Sequence, residues 1–156
     1  MILEGTFVFG GPRPKVWELL QDPVVLAKAL PGTERLALTS DDRLEGVMRV
    51  SVGPVTAAKF DVTVTLSDKV PPERFNMQID GKGALGYTRG TASVELNEQS
   101  DGGTLMRYKS DVQVGGRIAA VGQRLLDSVA RMMMRQALEA LENELKARLD
   151  QGDRRS

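Results

Sequence analysis

Along residues 43–114 hydrophobic and polar side chains alternate with a period of two, and along residues 117–149 the apolar positions recur with a helical period. The alternation is clearest where Phe60, Val62, Val64 and Leu66 are set against Lys59, Asp61, Thr63 and Thr65. Such a pattern predicts a strand with one dry and one wet face. It recurs at Leu44, Gly46, Met48, Val50 and Val52, at Phe75, Met77 and Ile79, at Gly90, Ala92, Val94 and Leu96, and at Met106, Tyr108, Ser110, Val112 and Val114. Gly53-Pro54, Pro71-Pro72 and Asp101-Gly102-Gly103 punctuate these runs, so they read as one antiparallel meander. Upstream, residues 2–9 are rich in β-formers and predict a first strand. Gly10-Gly11-Pro12 ends it. Pro12 and Pro14 then suit the first turn of a helix, where a proline removes only an N–H that has no partner. Val16, Trp17, Leu19 and Leu20 give that helix an apolar side, with Trp17 as its core anchor. Asp22-Pro23 reads as an N-cap followed by proline at the first helical position of a second short helix. This helix runs to Leu30 and stops at Pro31-Gly32.

On the helix predicted over 117–149, Arg117, Arg124, Ser128, Arg131, Arg135, Glu139, Glu142 and Lys146 form one stripe. Arg135–Glu139 and Glu142–Lys146 are spaced as i,i+4 ion pairs on that solvated face. Gly122, Leu126, Val129, Ala130, Met133, Ala137 and Ala140 form the opposite face, which must dock on something apolar. The dry face of the meander is the large partner at hand. The order is then strand, two short helices, five or six further strands and a long helix closing the sheet. This is an α+β helix-grip arrangement, with residues 1–149 as a single ligand-binding domain and 150–156 as a polar, frayed tail.

Composition narrows the chemistry. The chain has 156 residues, enough for one domain with a real core. Lys plus Arg number 21 and so do Asp plus Glu, so no basic field favours nucleic acid as a partner. His and Cys are absent, which excludes disulfides, thiol nucleophiles, imidazole-based triads and Cys/His metal sites. No metal site is expected. No run of ~18 apolar residues is present to span a membrane, and the first residues lack a basic secretory leader. A cytoplasmic protein is the expectation.

Gly81, Gly83 and Gly86 spell G-x-G-x-x-G, but a dinucleotide fingerprint needs a helix N-terminus after it. Residues 87–96 are strand-like, so the run reads as a glycine-rich hairpin. Asp61, Asp80, Glu95 and Asp111 fall on the wet phase of their strands among Arg and Lys, as a solvated face with cross-strand ion pairs. Tyr108 and Ser110 lie on the dry phase, where buried hydroxyls need partners: a ligand carbonyl, each other or backbone.

The helix face carries the strongest functional signal. Gly122, Ala130, Ala137 and Ala140 are small, and so are Gly46, Gly81, Gly90, Ala92 and Ser110 on the facing sheet. Small opposite small implies either a cavity under the helix or a close-packed, Met-rich plastic core. If a cavity forms, Leu126, Val129, Met133 and Ala137 would line one wall and Val62, Val94, Met106 and Tyr108 the other. Val121, Leu125 and Met132 border the arginine stripe. They read either as an exposed docking strip for a partner, a second copy or a lipid surface, or as a strip covered by the two short helices.

Several segments together resemble the G-subunit family of carbon monoxide dehydrogenase, within the START/Bet v 1-like, SRPBCC superfamily. They are residues 14–17 (PKVW), 22–26 (DPVVL), 30–32 (LPG) and 52–55 (VGPV), the glycines 81, 83, 86 and 90, and residues 114–119 (VGGRIA) with Gly122. The resemblance implies a helix-grip fold with a hydrophobic cavity and no catalytic residues or cofactor of its own. It implies an accessory role to molybdenum hydroxylases such as carbon monoxide dehydrogenase, whose subunits would be the partners, with a bound isoprenoid quinone or lipid. Delivery of an electron acceptor or recruitment of the enzyme to the membrane would follow. A peripheral contact at the inner face of the membrane and a homodimer are separate expectations. Larger members carry a C-terminal membrane-anchoring segment. This chain departs from them in ending DQGDRRS, which makes a soluble carrier or adaptor the expectation. A polyketide cyclase/dehydrase-like enzyme with Tyr108 as proton donor, and a purely structural assembly factor, are the alternatives.

Overall fold

The computed structural model describes residues 1–155. Strand β1 (Ile2–Phe9) leads into helices α1 (Arg13–Gln21) and α2 (Pro23–Ala29). Six strands follow: β2 (Thr33–Ser40), β3 (Arg43–Val52), β4 (Val55–Val70), β5 (Arg74–Gly83), β6 (Gly86–Glu98) and β7 (Thr104–Gly115). A 3₁₀ turn (Arg117–Val121) and helix α3 (Gln123–Arg155) complete the fold. The seven strands form one sheet in the order β1-β7-β6-β5-β4-β3-β2, with every pair antiparallel. The sheet wraps α3, and the helix-grip expectation is met.

Two helical boundaries differ from the periodicity. The helix expected from residue 117 is broken at Gly122, whose φ of +100° belongs to glycine rather than to a helix interior. Gly122 is therefore a hinge point between the 3₁₀ turn and α3 and not part of the buried face. At the other end α3 continues through Asp150 to Arg155, so the segment read as a frayed tail is helical that far. Its last residue, Ser156, lies outside the described residues. Strand β2, which showed no clear alternation, is an edge strand with two register shifts and little burial. It is pinned from β3: Arg49 pairs with Glu34, and the Arg49 N–H donates to the Gly32 carbonyl at 2.8 Å.

The Arg49 guanidinium holds the Glu34 carboxyl below the usual carboxylate range, chiefly through their hydrogen bond. Since the folded-state pKa is the lower one, this pair contributes above the unfolded pKa and is lost as pH falls through the folded value. NMR titration of Glu34 should show the depressed midpoint, and Arg49→Ala should return it to the ordinary range. An unchanged midpoint would mean that the pair does not hold β2.

Two separate packed clusters flank the middle of the sheet. The larger joins β1, α1, α2 and the C-terminal half of α3 through Phe9, Val16, Leu19, Leu96, Leu141 and Leu145. Trp17 packs edge-on against Phe75 at 5.4 Å, as the core anchor expected of it. Polar contacts fix the helices to α3. The Gly10 N–H donates to both Glu142 carboxylate oxygens at 3.1 Å. Asp22 caps α2 through the Val24 N–H at 2.9 Å and accepts from Arg148 at 3.3 Å. The smaller cluster joins Val52, Ala58, Phe60, Ile118 and Leu126.

Candidate ligand cavity

Under the first half of α3, walled by the smaller cluster and its half-buried neighbours, lies a cavity of about 240 Å³. Strands β3, β4, β5 and β7 contribute through their dry phase. Strand β3 supplies Met48, Val50 and Val52, β4 supplies Phe60 and Val62, β5 supplies Ile79, and β7 supplies Val112 and Val114. Helix α3 supplies Leu126, Val129, Ala130 and Met133, the 3₁₀ turn supplies Ile118, and Met1 and Leu3 close the β1 side. Thr88 on β6 adds a hydroxyl; Tyr87 also borders the cavity, but it stands on the wet phase, 44% exposed, with its ring against Arg89 and Gly115. The other lining side chains are apolar, and no lining side chain is charged. Met48, Val50, Val62, Ile79, Val112, Val114, Val129, Ala130 and Met133 all face the interior yet remain half-buried.

The floor at one end depends on glycine. Gly83 pairs with Gly86 across a two-residue turn, so the G-x-G-x-x-G run is a β5–β6 hairpin, as its strand context implied. The Ile118 N–H donates to the Leu85 carbonyl at 2.8 Å, tying the 3₁₀ turn to that hairpin. Gly86, at φ +147°, lies directly under the Gly115 carbonyl, where a Cβ has no room.

Of the residues assigned to the walls from sequence, Val62, Leu126, Val129 and Met133 line the cavity. The other four do not. Val94 and Met106 are buried in the larger packed cluster. Ala137, one turn beyond Met133, is buried past the end of the void. Tyr108 lies over Gly5 of its partner strand, where an added Cβ would come 2.7 Å from the tyrosine oxygen. That places it in a separate groove between β1 and α3. Tyr108, the proton donor of the cyclase alternative, therefore stands outside this cavity. Ser110 Oγ donates to the Leu3 carbonyl at 3.3 Å, a backbone partner.

The small residues also act differently from expectation. None of Gly46, Gly81, Gly90, Ala92 or Ser110 lines the cavity. A Cβ at Gly46 would run into the Arg35 carbonyl, and one at Gly90 into the Asp111 carbonyl. These glycines let neighbouring strands approach in a curved sheet. The void is walled instead by Val52, Phe60, Ile118 and Leu126 of the smaller cluster and the aliphatic side chains around them.

The docking strip is not free. Leu125 reaches the β3–β4 turn at Gly53, and Val121 and Leu125 pack on the smaller cluster. Helices α1 and α2 cover the other half of α3 instead. Met132 alone of the three is exposed, at 39%.

The family model for the G subunit of carbon monoxide dehydrogenase (CoxG) matches residues 5–146. The chain belongs to the CoxG family. A conserved protein from Geobacillus kaustophilus superposes with a TM-score of 0.89 at 26% identity, covering 94% of this chain and 96% of that one. A START superfamily protein from Mycobacterium smegmatis superposes at 0.73 with 12% identity, covering 94% and 97% of the two chains. The protein Ms6760 from the same species gives 0.69 at 20%, covering 94% and 91%. At these identities the two mycobacterial structures establish the START-like fold alone. No curated protein sequence matches. In this CoxG chain no helix among the described residues is long and apolar enough to cross a membrane, and no group of His, Cys, Asp and Glu is placed to hold a metal ion.

Proposed function

We propose that this CoxG-family protein is a non-enzymatic accessory protein that holds an apolar molecule, an isoprenoid quinone or a similar lipid, between its sheet and α3. Its partner would be a molybdenum hydroxylase of the carbon monoxide dehydrogenase type, served by delivery of an electron acceptor or by recruitment to a membrane. The observation that carries this reading is the chemistry of the cavity wall. General acid–base or nucleophilic work needs a suitably placed reactive group within reach of a bound molecule, and the inward-facing wall is apolar apart from the Thr88 hydroxyl. A wall of that kind contributes binding free energy in proportion to the apolar area it removes from water.

Size restricts the occupant. Small-molecule sites commonly enclose about 300–1,000 Å³, and this one encloses about 240 Å³. That suits a quinone ring or one short chain. The remainder of a long isoprenoid would extend outward or displace the unbranched Met48 and Met133, whose thioether side chains repack readily.

The test is native mass spectrometry of the purified protein with extraction of its lipids, followed by titration with menadione as a tail-free quinone. A retained apolar molecule, or saturable menadione binding that Met133→Arg abolishes, is the expected result. A protein that emerges empty and shows no saturable binding overturns the carrier reading and leaves an assembly factor.

A further inference from the structure

The groove that holds Tyr108 is a second concavity, of about 250 Å³, between the edge strand β1 and α3. Its floor is apolar, made by Phe7, Met134 and Leu138, and Arg131 and Arg135 stand at its rim one helical turn apart. The ion pair expected between Arg135 and Glu139 does not form, although Lys146–Glu142 and Arg148–Glu144 form further along the same helix. Neither Arg131 nor Arg135 makes an ion pair or side-chain hydrogen bond among the described residues. Glu4 on the opposite rim leaves the groove with a net charge of one positive unit, since it opposes two arginines.

This groove and the cavity are neighbours. Leu3 lines both of them, and the consecutive Met133 and Met134 line one each. Three side chains, the buried Leu3 and the unbranched Met133 and Met134, separate an anionic ligand at the rim from the apolar interior.

We infer that the groove is a head-group site for a singly charged anionic amphiphile, whose chain passes Leu3 into the cavity while its carboxylate meets Arg131 and Arg135. Guanidinium groups favour carboxylates because their N–H forks match the two oxygens. A methylene takes up roughly the ~30 Å³ of a water molecule, so the cavity accommodates a chain of about eight carbons. The inference rests on the cavity being a ligand site and selects the lipid form of that reading.

Isothermal titration with decanoate and with decanol at neutral pH separates the two propositions. The wild type should bind decanoate about tenfold more tightly than decanol, the scale of one hydrogen bond to a charged group. Arg131→Gln combined with Arg135→Gln should bring decanoate down to the level of decanol. Lysine at both positions should keep most of the preference, which a packing effect would not. If decanol binds and no carboxylate preference exists, or if the preference survives in the glutamine variant, the head-group site is overturned and the cavity reading stands. If neither amphiphile binds, the head-group site is overturned, and the menadione titration decides the cavity reading separately.

Discussion

Leu145→Ala should lower the folding free energy by about 4 kcal/mol, read as a shifted urea midpoint at unchanged slope. Leu145 is 1% exposed, lies in the larger cluster and presses its methyl groups against Gly11 at the β1–α1 turn. Truncating it to a methyl group leaves a hole between α3 and that turn, which Glu142 and Gly10 hold in place. A site that cannot collapse retains the full cavity penalty. Met133→Ala gives the comparison. Met133 already borders a void and is half-buried, so truncation removes fewer contacts and should cost about 1 kcal/mol. Similar losses at the two positions would show that the space beneath Met133 is closed.

Met133→Arg should strike ligand capture as well as stability. It places a guanidinium on an apolar wall with no carboxylate among the lining residues. Burying an unpaired charge costs several kcal/mol (order ~3–5) unless the side chain escapes to water. Arg131→Ala, two residues earlier on the exposed face, should change stability by less than about 0.5 kcal/mol. Thermal unfolding with and without menadione measures both effects. Equal destabilisation by the two substitutions would contradict the orientation of α3.

Period-two alternation made the meander legible because each strand between β3 and β7 has one wet face. Asp61, Glu95 and Asp111 are exposed and Asp80 is half-buried, with Arg89 3.9 Å from Asp80. Val47 is an exception, buried although it stands on the wet phase. Strand β2 left no such trace, since an edge strand with two register shifts and exposed Leu38 buries too little to impose alternation. Helical periodicity located the buried stripe of α3, and Leu126, Val129 and Met133 on it face the cavity, as does Val62 across from them. It did not mark where along that stripe the void begins and ends. Val94 and Met106 have the same phase and chemistry as Val62 and Val114. What separates them is the docking of α1 and α2 over one half of the sheet, a long-range packing outcome that local pattern does not encode. Tyr108 was misplaced for a related reason: its pairing with Gly5 depends on the β1–β7 register.

The unequal size of the two clusters bears on how the molecule opens. Fourteen buried residues make up the cluster around the C-terminal half of α3, and five make up the other. Local opening free energies follow the apolar contacts that must be broken. Amide hydrogens in the first turns of α3, beside Gly122 and over the cavity, should therefore exchange through sub-global fluctuations, while those near Leu141 and Leu145 exchange through global unfolding. The lightly anchored end carries the cavity roof. A molecule can then enter and leave on the timescale of local breathing while the remainder of the domain stays folded.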